Sequence, residues 1–291
     1  MQQTNKKGLI TALSCYFIWG LLPIYWGLLH HISAYSVLAH RIIWSALFMS
    51  FVAIGLNYQQ FKKDCLHLIH NISQLGLLIL ASIFVSSNWG LYIWAISNNR
   101  VMDTSFGYYI NPLLNVVLGV LVFKEKLTFP QWCSVGLATI GIIFISLQMG
   151  STPDLALAIA LTFGLYGLVK KKLLIHPFTS IAFEAWLVAP LALAYTTYID
   201  ASSWTAFQND SYTAALFVIS GLTTSAPLVL FTYGARLLPL NLLGFLQYLS
   251  PTIALLIAIF YFGESFDTNK MIAFSFIWVA LGIYTASNYT K

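Results

Sequence analysis

Apolar runs long enough to cross a lipid bilayer dominate this sequence. The run over residues 213–235, TAALFVISGLTTSAPLVLFTYGA, contains no charged residue, and about 20 such residues are enough for a transmembrane helix. Charged residues make up 8% of the chain, whereas about a quarter of the residues in ordinary globular domains are charged. Because so few charges cannot cover the surface of a soluble protein, the sequence predicts an all-α membrane protein.

Polar, proline and charged clusters divide the chain into ten predicted transmembrane helices. The predicted helices span residues 8–29, 35–56, 72–97, 101–123, 129–147, 153–171, 178–199, 213–235, 239–262 and 268–287. Membrane strands would alternate apolar and polar residues, but these runs are apolar on all sides. The first run lacks a clear small-residue cleavage site, so we predict a retained helix rather than a signal peptide.

Basic residues lie mostly on one side of these predicted helices when the N-terminus is placed in the cytoplasm. Only Arg100 and Lys270 then lie outside. The cytoplasmic side receives Lys6, Lys7, Lys62, Lys63, Lys124, Lys126, Lys170, Lys171, Lys172, Arg236 and Lys291. This asymmetry predicts a multi-pass protein of the bacterial inner membrane with both termini in the cytoplasm. The orientation of the protein in the lipid bilayer therefore accounts for its excess of basic residues, and no nucleic-acid partner is predicted.

Two stretches half a chain apart repeat one another. They are SFGYYINPLLNVVLGVLVFKEK at 105–126 and GFLQYLSPTIALLIAIFYFGES at 244–265. The matching pairs, each 139 positions apart, are Phe106/Phe245, Tyr109/Tyr248, Pro112/Pro251, Phe123/Phe262 and Glu125/Glu264. Since five is odd, a second set of five helices starts on the opposite side of the membrane. We therefore predict two inverted five-helix repeats, at 1–147 and 148–291, with a site at their interface that opens by alternating access.

Several local stretches also resemble a known family. These are YFIWGLLPIYW (16–26), HRIIWS (40–45), NWGLYIWAISN (88–98), FGYYINPLLN (106–115), FGLYGLVKK (163–171), LLGFLQYLSPT (242–252) and FIWVALGIY (276–284). They resemble the RarD family of the drug/metabolite transporter superfamily, which has EamA-type repeats. The resemblance implies two inverted halves and the export or exchange of small metabolites. The second repeat departs from the first by replacing Asn111 with Ser250 and Asn115 with Ala254, which implies an asymmetric polar lining.

Amides and prolines in the predicted helices are the first candidates for a substrate site. An amide in hydrocarbon needs a polar partner in the protein or in a water-filled cavity. The candidate substrate-binding amides are Asn88, Asn111, Asn115 and Gln247. Pro112 and Pro251 are candidate helix-bending residues, because proline removes a backbone hydrogen bond. The alternative is that the amides only join neighbouring helices and the prolines are tolerated kinks.

Aromatic residues share these helices and complete the predicted site. The candidate substrate-binding aromatics are Tyr16, Trp19, Trp89, Tyr92, Tyr108, Tyr166 and Tyr248. Aromatic walls with few fixed charges suit amphipathic, aromatic or cationic solutes. Ordinary helix packing is the alternative for each residue taken singly.

Arg41 and Glu184 are the charges most clearly inside predicted helices, and such residues are functional candidates by default. They lie at similar places in the two halves, so the inverted topology puts Arg41 near the outer face and Glu184 near the inner face. A salt bridge between them is therefore not expected. Arg41 could contact substrate or could extend its side chain to the membrane surface. Glu184 could bind and release a proton during transport.

The predicted function is a secondary transporter that exports or exchanges small metabolites, most simply neutral, zwitterionic or amphipathic solutes such as amino acids. The alternatives are a passive channel, a membrane scaffold or a membrane-embedded enzyme. The sequence has no HExxH, GxSxG or P-loop motif, and no cofactor or metal is predicted. Cys65 is expected in a polar loop after the second helix. Substrate identity, direction, proton coupling and the choice between monomer and dimer stay open.

Overall fold

The computed structural model describes residues 5–98, 100–149, 154–263 and 268–289, and these residues form helices without strands. The all-α prediction is therefore confirmed for this part of the chain. The helices are α1 (Lys6–Gly27), α2 (Ala34–His70), α3 (Ile72–Ser97), α4 (Val101–Phe123), α5 (Phe129–Met149), α6 (Asp154–Lys172), α7 (Pro177–Ala194), α8 (Ser202–Asn209), α9 (Ser211–Leu237), α10 (Leu240–Gln247), α11 (Leu249–Phe260) and α12 (Thr268–Tyr289). A π-helical segment, Tyr195–Ile199, extends α7.

Within the described ranges, seven helical segments are long and apolar enough to cross a membrane. They are Lys6–Gly27, Ala34–Leu56, Ile72–Ala95, Phe106–Phe123, Pro177–Ile199, Ser211–Leu237 and Leu240–Phe260. Phe129–Phe144 and Phe274–Ser287 are shorter apolar helices. Large apolar side chains such as Phe51 and Leu121 lie exposed on the outside of the bundle, as expected of a surface that meets lipid. The chain is thus a multi-pass membrane protein.

Helix α2 continues well beyond its apolar segment. The prediction of a polar loop around Cys65 is wrong, because α2 runs to His70. Residues 57–70 contain neither glycine nor proline, and Leu68 packs against Leu78 and Leu173. Hydropathy therefore located the membrane-spanning part of this helix and missed its polar extension.

The predicted helix at 239–262 is interrupted. Helix α10 ends at Gln247 and α11 begins at Leu249. Pro251 lies in the first turn of α11, where its missing N–H removes no hydrogen bond that the helix needs. By contrast, Pro112 lies inside the continuous helix α4.

The helices pack as pairs drawn from the two halves of the chain. Helix α1 packs against α9 and α11, and α6 packs against α3 and α4. Helix α2 packs against α7, α4 against α10, and α5 against α12. The largest core cluster joins α1, α3, α6 and α9 around Tyr16, Tyr166 and Phe231.

Glu125 joins the end of α4 to the start of α10. Its carboxylate accepts hydrogen bonds from the backbone N–H groups of Leu240 (2.6 Å) and Asn241 (2.9 Å). A carboxylate at a helix N-terminus satisfies N–H groups that have no partner within the helix, and it interacts favourably with the helix dipole. Lys124, in the left-handed conformation with φ 54°, ends α4 and turns the chain toward this site. Glu264, the matching residue of the sequence repeat, lies outside the described residues.

Two further contacts join the halves at the same end of the bundle. Asp64 accepts hydrogen bonds from the backbone N–H of His176 (3.0 Å) and the hydroxyl of Thr179 (2.7 Å), at the start of α7. Lys171, in the last turn of α6, lies with its Nζ 5.3 Å from the ring centroid of Phe123 at the end of α4, and it donates to the carbonyl of Leu238 within its own half. We call this end, defined by Asp64, Glu125 and Lys171, the capped end.

We expect Glu125→Ala to destabilise the protein by about 1–2 kcal/mol, because it leaves two helix N–H groups without their acceptor. The measurement is the apparent melting temperature of the purified protein in detergent. Lys126→Ala is the matched control, because Lys126 is an exposed neighbour. Equal melting temperatures for Glu125→Ala and the wild type would show that the cap contributes nothing to stability.

Candidate functional site: a cavity between the two halves

A cavity of about 570 Å³ lies within the helix bundle and is lined by helices from both halves of the chain. Its wall on α1 consists of Trp19, Leu22, Pro23 and Trp26, which are spaced so that they share one helix face. Helix α11 contributes a second face with Ser250, Pro251, Ala254, Leu255 and Ala258. Each wall is therefore one face of a helix. The α11 face presents small and apolar residues, whereas the α1 face carries two tryptophans.

The cavity lies toward the end of the bundle opposite the capped end. Trp26 near the end of α1 and Ile93 near the end of α3 line it. Thr104, near the beginning of α4, lines it as well. Phe262, just after α11, and Phe274, early in α12, also line it. The capped end, by contrast, holds the end of α4 and the beginning of α10. The cavity and the caps therefore occupy opposite ends of the same bundle.

Eight of the candidate residues line this cavity. They are Trp19, Arg41, Asn88, Trp89, Tyr92, Tyr108, Gln247 and Pro251. Asn88 is itself engaged with α6, since its Nδ2 donates to the carbonyl of Ile159 (2.8 Å) and the hydroxyl of Thr162 (3.1 Å). Trp19 contacts Phe163 of α6 within the cavity wall, with ring centroids 5.5 Å apart.

Other candidate residues lie outside the cavity wall and bond to neighbouring helices. Asn111 donates to the carbonyl of Ala160 (2.7 Å), and Asn115 donates to Asn111 (3.0 Å) and to Gln247 (3.1 Å). The Tyr16 hydroxyl donates to the carbonyl of Leu243 (3.1 Å). Tyr166, Tyr248 and Pro112 are likewise absent from the lining. In the structure described here, these side chains join helices around the cavity.

Arg41 lies in the cavity wall with its guanidinium held by aromatic rings. Its Cζ is 4.9 Å from the ring centroid of Trp26 and 4.9 Å from that of Trp89. Its Nε donates to the Thr224 hydroxyl at 3.0 Å. In this structure the guanidinium therefore contacts side chains that line the cavity.

Glu184 is buried outside the cavity, in an ion pair that the sequence analysis missed. Lys170 Nζ lies 2.6 Å from Glu184 Oε1, and Lys170 is fully buried. Ser180 accepts from Lys170 and donates to Glu184, while Tyr166 donates to the other carboxylate oxygen (3.1 Å). Lys170, which the sequence analysis counted among the basic residues of the cytoplasmic side, is therefore buried in the last turn of α6. A buried carboxylate requires a partner, and Lys170 shares a helix face with Tyr166 four residues earlier, so this signal was present in the sequence.

A small space of about 10 Å³, lined mostly by apolar side chains, lies between α2, α3 and α7 and includes Glu184 among its lining residues. Trp89 lines this space as well as the large cavity. Trp89 is thus shared by the wall of the cavity and by a space next to Glu184. Within the described residues, no group of three or more His, Cys, Asp or Glu side chains could hold a metal ion.

We expect Glu184→Gln to destabilise the protein by roughly 3–5 kcal/mol, because it leaves Lys170 as a buried charge without a counter-ion. The double variant Lys170→Met/Glu184→Gln should recover most of this loss. Melting temperatures in detergent measure both effects. Asp154→Asn is the control, because it removes the exposed pair Arg100–Asp154 and should leave stability unchanged. A double variant no more stable than Glu184→Gln would contradict the pairing.

Comparison with known proteins identifies relatives that cover nearly the whole chain. The model of the EamA-like transporter family matches residues 6–147 and 154–286. A Pseudomonas aeruginosa protein named as an uncharacterized transporter is 41% identical over 283 residues, covering 96% of this chain and 93% of that protein. The Bacillus subtilis uncharacterized transporter YojE is 41% identical, with 97% and 95% covered. Protein RarD of Escherichia coli is 37% identical, with 96% and 94% covered.

A solved structure described only as a crystal structure of a protein shares the fold. Its TM-score is 0.74 at 14% identity, covering 96% of this chain and 97% of that chain. A likeness at this identity supports the helical architecture and says nothing about substrate. The predicted resemblance to EamA-type and RarD proteins is confirmed by the sequence relatives.

Proposed function

Because the chain belongs to the EamA-like transporter family, we propose that it is a secondary transporter that works by alternating access. It exports or exchanges small metabolites, with neutral, zwitterionic or amphipathic solutes such as amino acids as the preferred class. The family and the names of the relatives argue against an enzyme. The proposal rests chiefly on one observation, the cavity of about 570 Å³ that both halves of the chain line.

The composition of the cavity wall suits a small organic solute. Ligand sites are commonly concave, mostly apolar and of about 300–1,000 Å³, with a few polar groups that orient the ligand. Here Trp19, Trp89 and Tyr108 provide aromatic surface, while Thr224 and Gln247 are among the polar residues. Such a wall can pack against the apolar part of a solute, while its few polar side chains can hydrogen-bond to the polar part of that solute.

The proposal includes ten transmembrane helices in two inverted repeats, and two glycine contacts support it. A Cβ at Gly20 of α1 would lie 2.7 Å from Cβ of Ile253, and a Cβ at Gly164 of α6 would lie 2.8 Å from Cδ2 of Leu114. Ile253 and Leu114 are 139 positions apart, the offset of the sequence repeat. The two glycines thus contact corresponding positions of the repeated stretches.

Other contacts follow the same symmetry. The first helix of the first half, α1, packs against α11 of the second half, and the first helix of the second half, α6, packs against α4 of the first half. The Tyr248 hydroxyl donates to the carbonyl of Tyr109 (3.3 Å), again between residues 139 positions apart. The family model, which matches two successive segments, supports the same duplication.

The capped end is the proposed closed gate. The distribution of basic residues puts this end in the cytoplasm, so the cavity faces outward, with both termini cytoplasmic and the protein in the bacterial inner membrane. For the cavity to face inward, the hydrogen bonds of Asp64 and Glu125 to the opposite half, and the contact of Lys171 with Phe123, must weaken. Charge-assisted hydrogen bonds to helix ends suit this role because water can replace them when the gate opens.

We infer that Glu184 is the candidate group for proton coupling, because it is a buried carboxylate paired with Lys170 and it lines a space that shares Trp89 with the cavity. The test compares uptake with and without a pH gradient for the wild type and for Lys170→Met/Glu184→Gln. Loss of the pH dependence alone would support coupling through this pair. Unchanged pH dependence would exclude it.

We expect purified protein in proteoliposomes to take up a member of a panel of labelled amino acids, nucleosides and organic cations in a saturable manner. Trp89→Ala should raise KM by about 10-fold, because it removes aromatic surface from the cavity wall. Trp132→Ala, at an exposed tryptophan on α5, is the matched control and should behave like the wild type. If the folded protein moves no solute, the transporter proposal is wrong. Non-saturable flux would favour a passive channel.

A further inference from the structure

Arg41 is the only charged residue in the described lining of the cavity. The other side chains in the wall are aliphatic, aromatic, hydroxyl or amide groups. A charge in a cavity of this kind is costly to desolvate, so its presence needs a physical explanation. That explanation is found either in partners within the protein or in the solute that enters.

The partners of Arg41 within the described residues leave its charge uncompensated. No carboxylate among them lies within salt-bridge distance, and only Nε donates a hydrogen bond, to Thr224. Neither Nη1 nor Nη2 has an acceptor in the described part of the chain. The side chain is half-buried. This arrangement contrasts with Lys170, the buried cation of the same protein, whose ammonium is paired with Glu184.

The aromatic neighbours contact the guanidinium of Arg41 without accepting hydrogen bonds from its Nη groups. Cζ of Arg41 lies over the rings of both Trp26 and Trp89, 4.9 Å from each ring centroid. Cation–π contacts of this kind stabilise the charge and restrict the side chain. A planar guanidinium held in this way presents two parallel N–H donors, which match the two oxygens of a carboxylate.

We propose that Arg41 binds the carboxylate of the transported solute, so that the cavity selects organic acids and zwitterions over neutral amides and cations. The apolar body of the solute would lie against the aromatic wall that includes Trp19 and Phe163. This inference rests on the proposed transport function and narrows its substrate class. The simpler alternative is that Arg41 only organises Trp26, Trp89 and Thr224.

The test uses four probes with a common phenyl body and different charges. They are 3-phenylpropionate, its neutral amide, phenylalanine and phenethylamine. Binding to purified protein is measured by the change in tryptophan fluorescence, since Trp26 and Trp89 contact the proposed site. The wild type should bind 3-phenylpropionate roughly 10- to 100-fold more tightly than the amide, as expected for a charge-assisted hydrogen bond pair. Phenylalanine should also be bound, and phenethylamine should bind least.

Variants of Arg41 separate the effect of its charge from the effect of its planar guanidinium. Arg41→Gln should reduce the preference for acid over amide to about twofold or less, while leaving the affinity for the amide nearly unchanged. Arg41→Lys keeps the charge without the planar fork and should retain part of the preference. Arg100→Gln, which removes an arginine outside the cavity wall, is the matched control and should match the wild type. Melting temperatures establish that each variant is folded.

The outcomes distinguish this inference from the transport proposal. Equal binding of acid and amide by the wild type, or a preference that persists in Arg41→Gln, would overturn the carboxylate site. If uptake of another solute were nevertheless saturable and sensitive to Trp89→Ala, the transport proposal would still hold. Absence of both binding and saturable transport in the folded protein would contradict both.

Discussion

Hydrocarbon offers no hydrogen-bond partners, so each polar group within this bundle must find its partner in the protein or in a water-filled cavity. The capped end shows one solution, in which Glu125 satisfies the first two N–H groups of α10, and Asp64 satisfies the N–H of His176 before α7. The pair Lys170–Glu184 shows another, because two buried charges compensate one another. The contacts of Glu125 and Asp64 join the two halves of the chain at one end of the bundle, whereas the pair Lys170–Glu184 joins α6 to α7 within the second half.

Arg41 differs from these groups in a way that connects the fold to the proposed function. Lys170 and Glu184 neutralise one another within the protein. The Nη groups of Arg41, by contrast, have no acceptor among the described residues, and the side chain is half-buried beside the cavity. Stability alone would favour a neutral side chain at such a position. A cation that is held in place but not compensated suits a site whose occupant brings the opposite charge.

Helix positions could be predicted because hydropathy and breaking residues act locally along the chain. The apolar part of α2 was located, but its extension to His70 was missed because polar helical residues carry no hydropathy signal. The cavity was predicted in part. Trp19, Trp89 and Gln247 line it, whereas Asn111 and Tyr166 bond to neighbouring helices. Residues that line the cavity and residues that bond to neighbouring helices look alike in the sequence. An amide or a phenol in an apolar helix requires a polar partner in either position.

The sequence by itself determined that the chain is helical, that it is built for a membrane, and that it resembles EamA-type transporters, because composition and local motifs carry this information. The tertiary structure decided which polar groups meet. Glu184 meets Lys170 because α6 and α7 bring positions 14 residues apart in the chain into contact, and Arg41 meets Trp89 because α2 and α3 approach at the cavity. Such pairings depend on the rotation and crossing of helices relative to one another, which the pattern along a single helix does not specify.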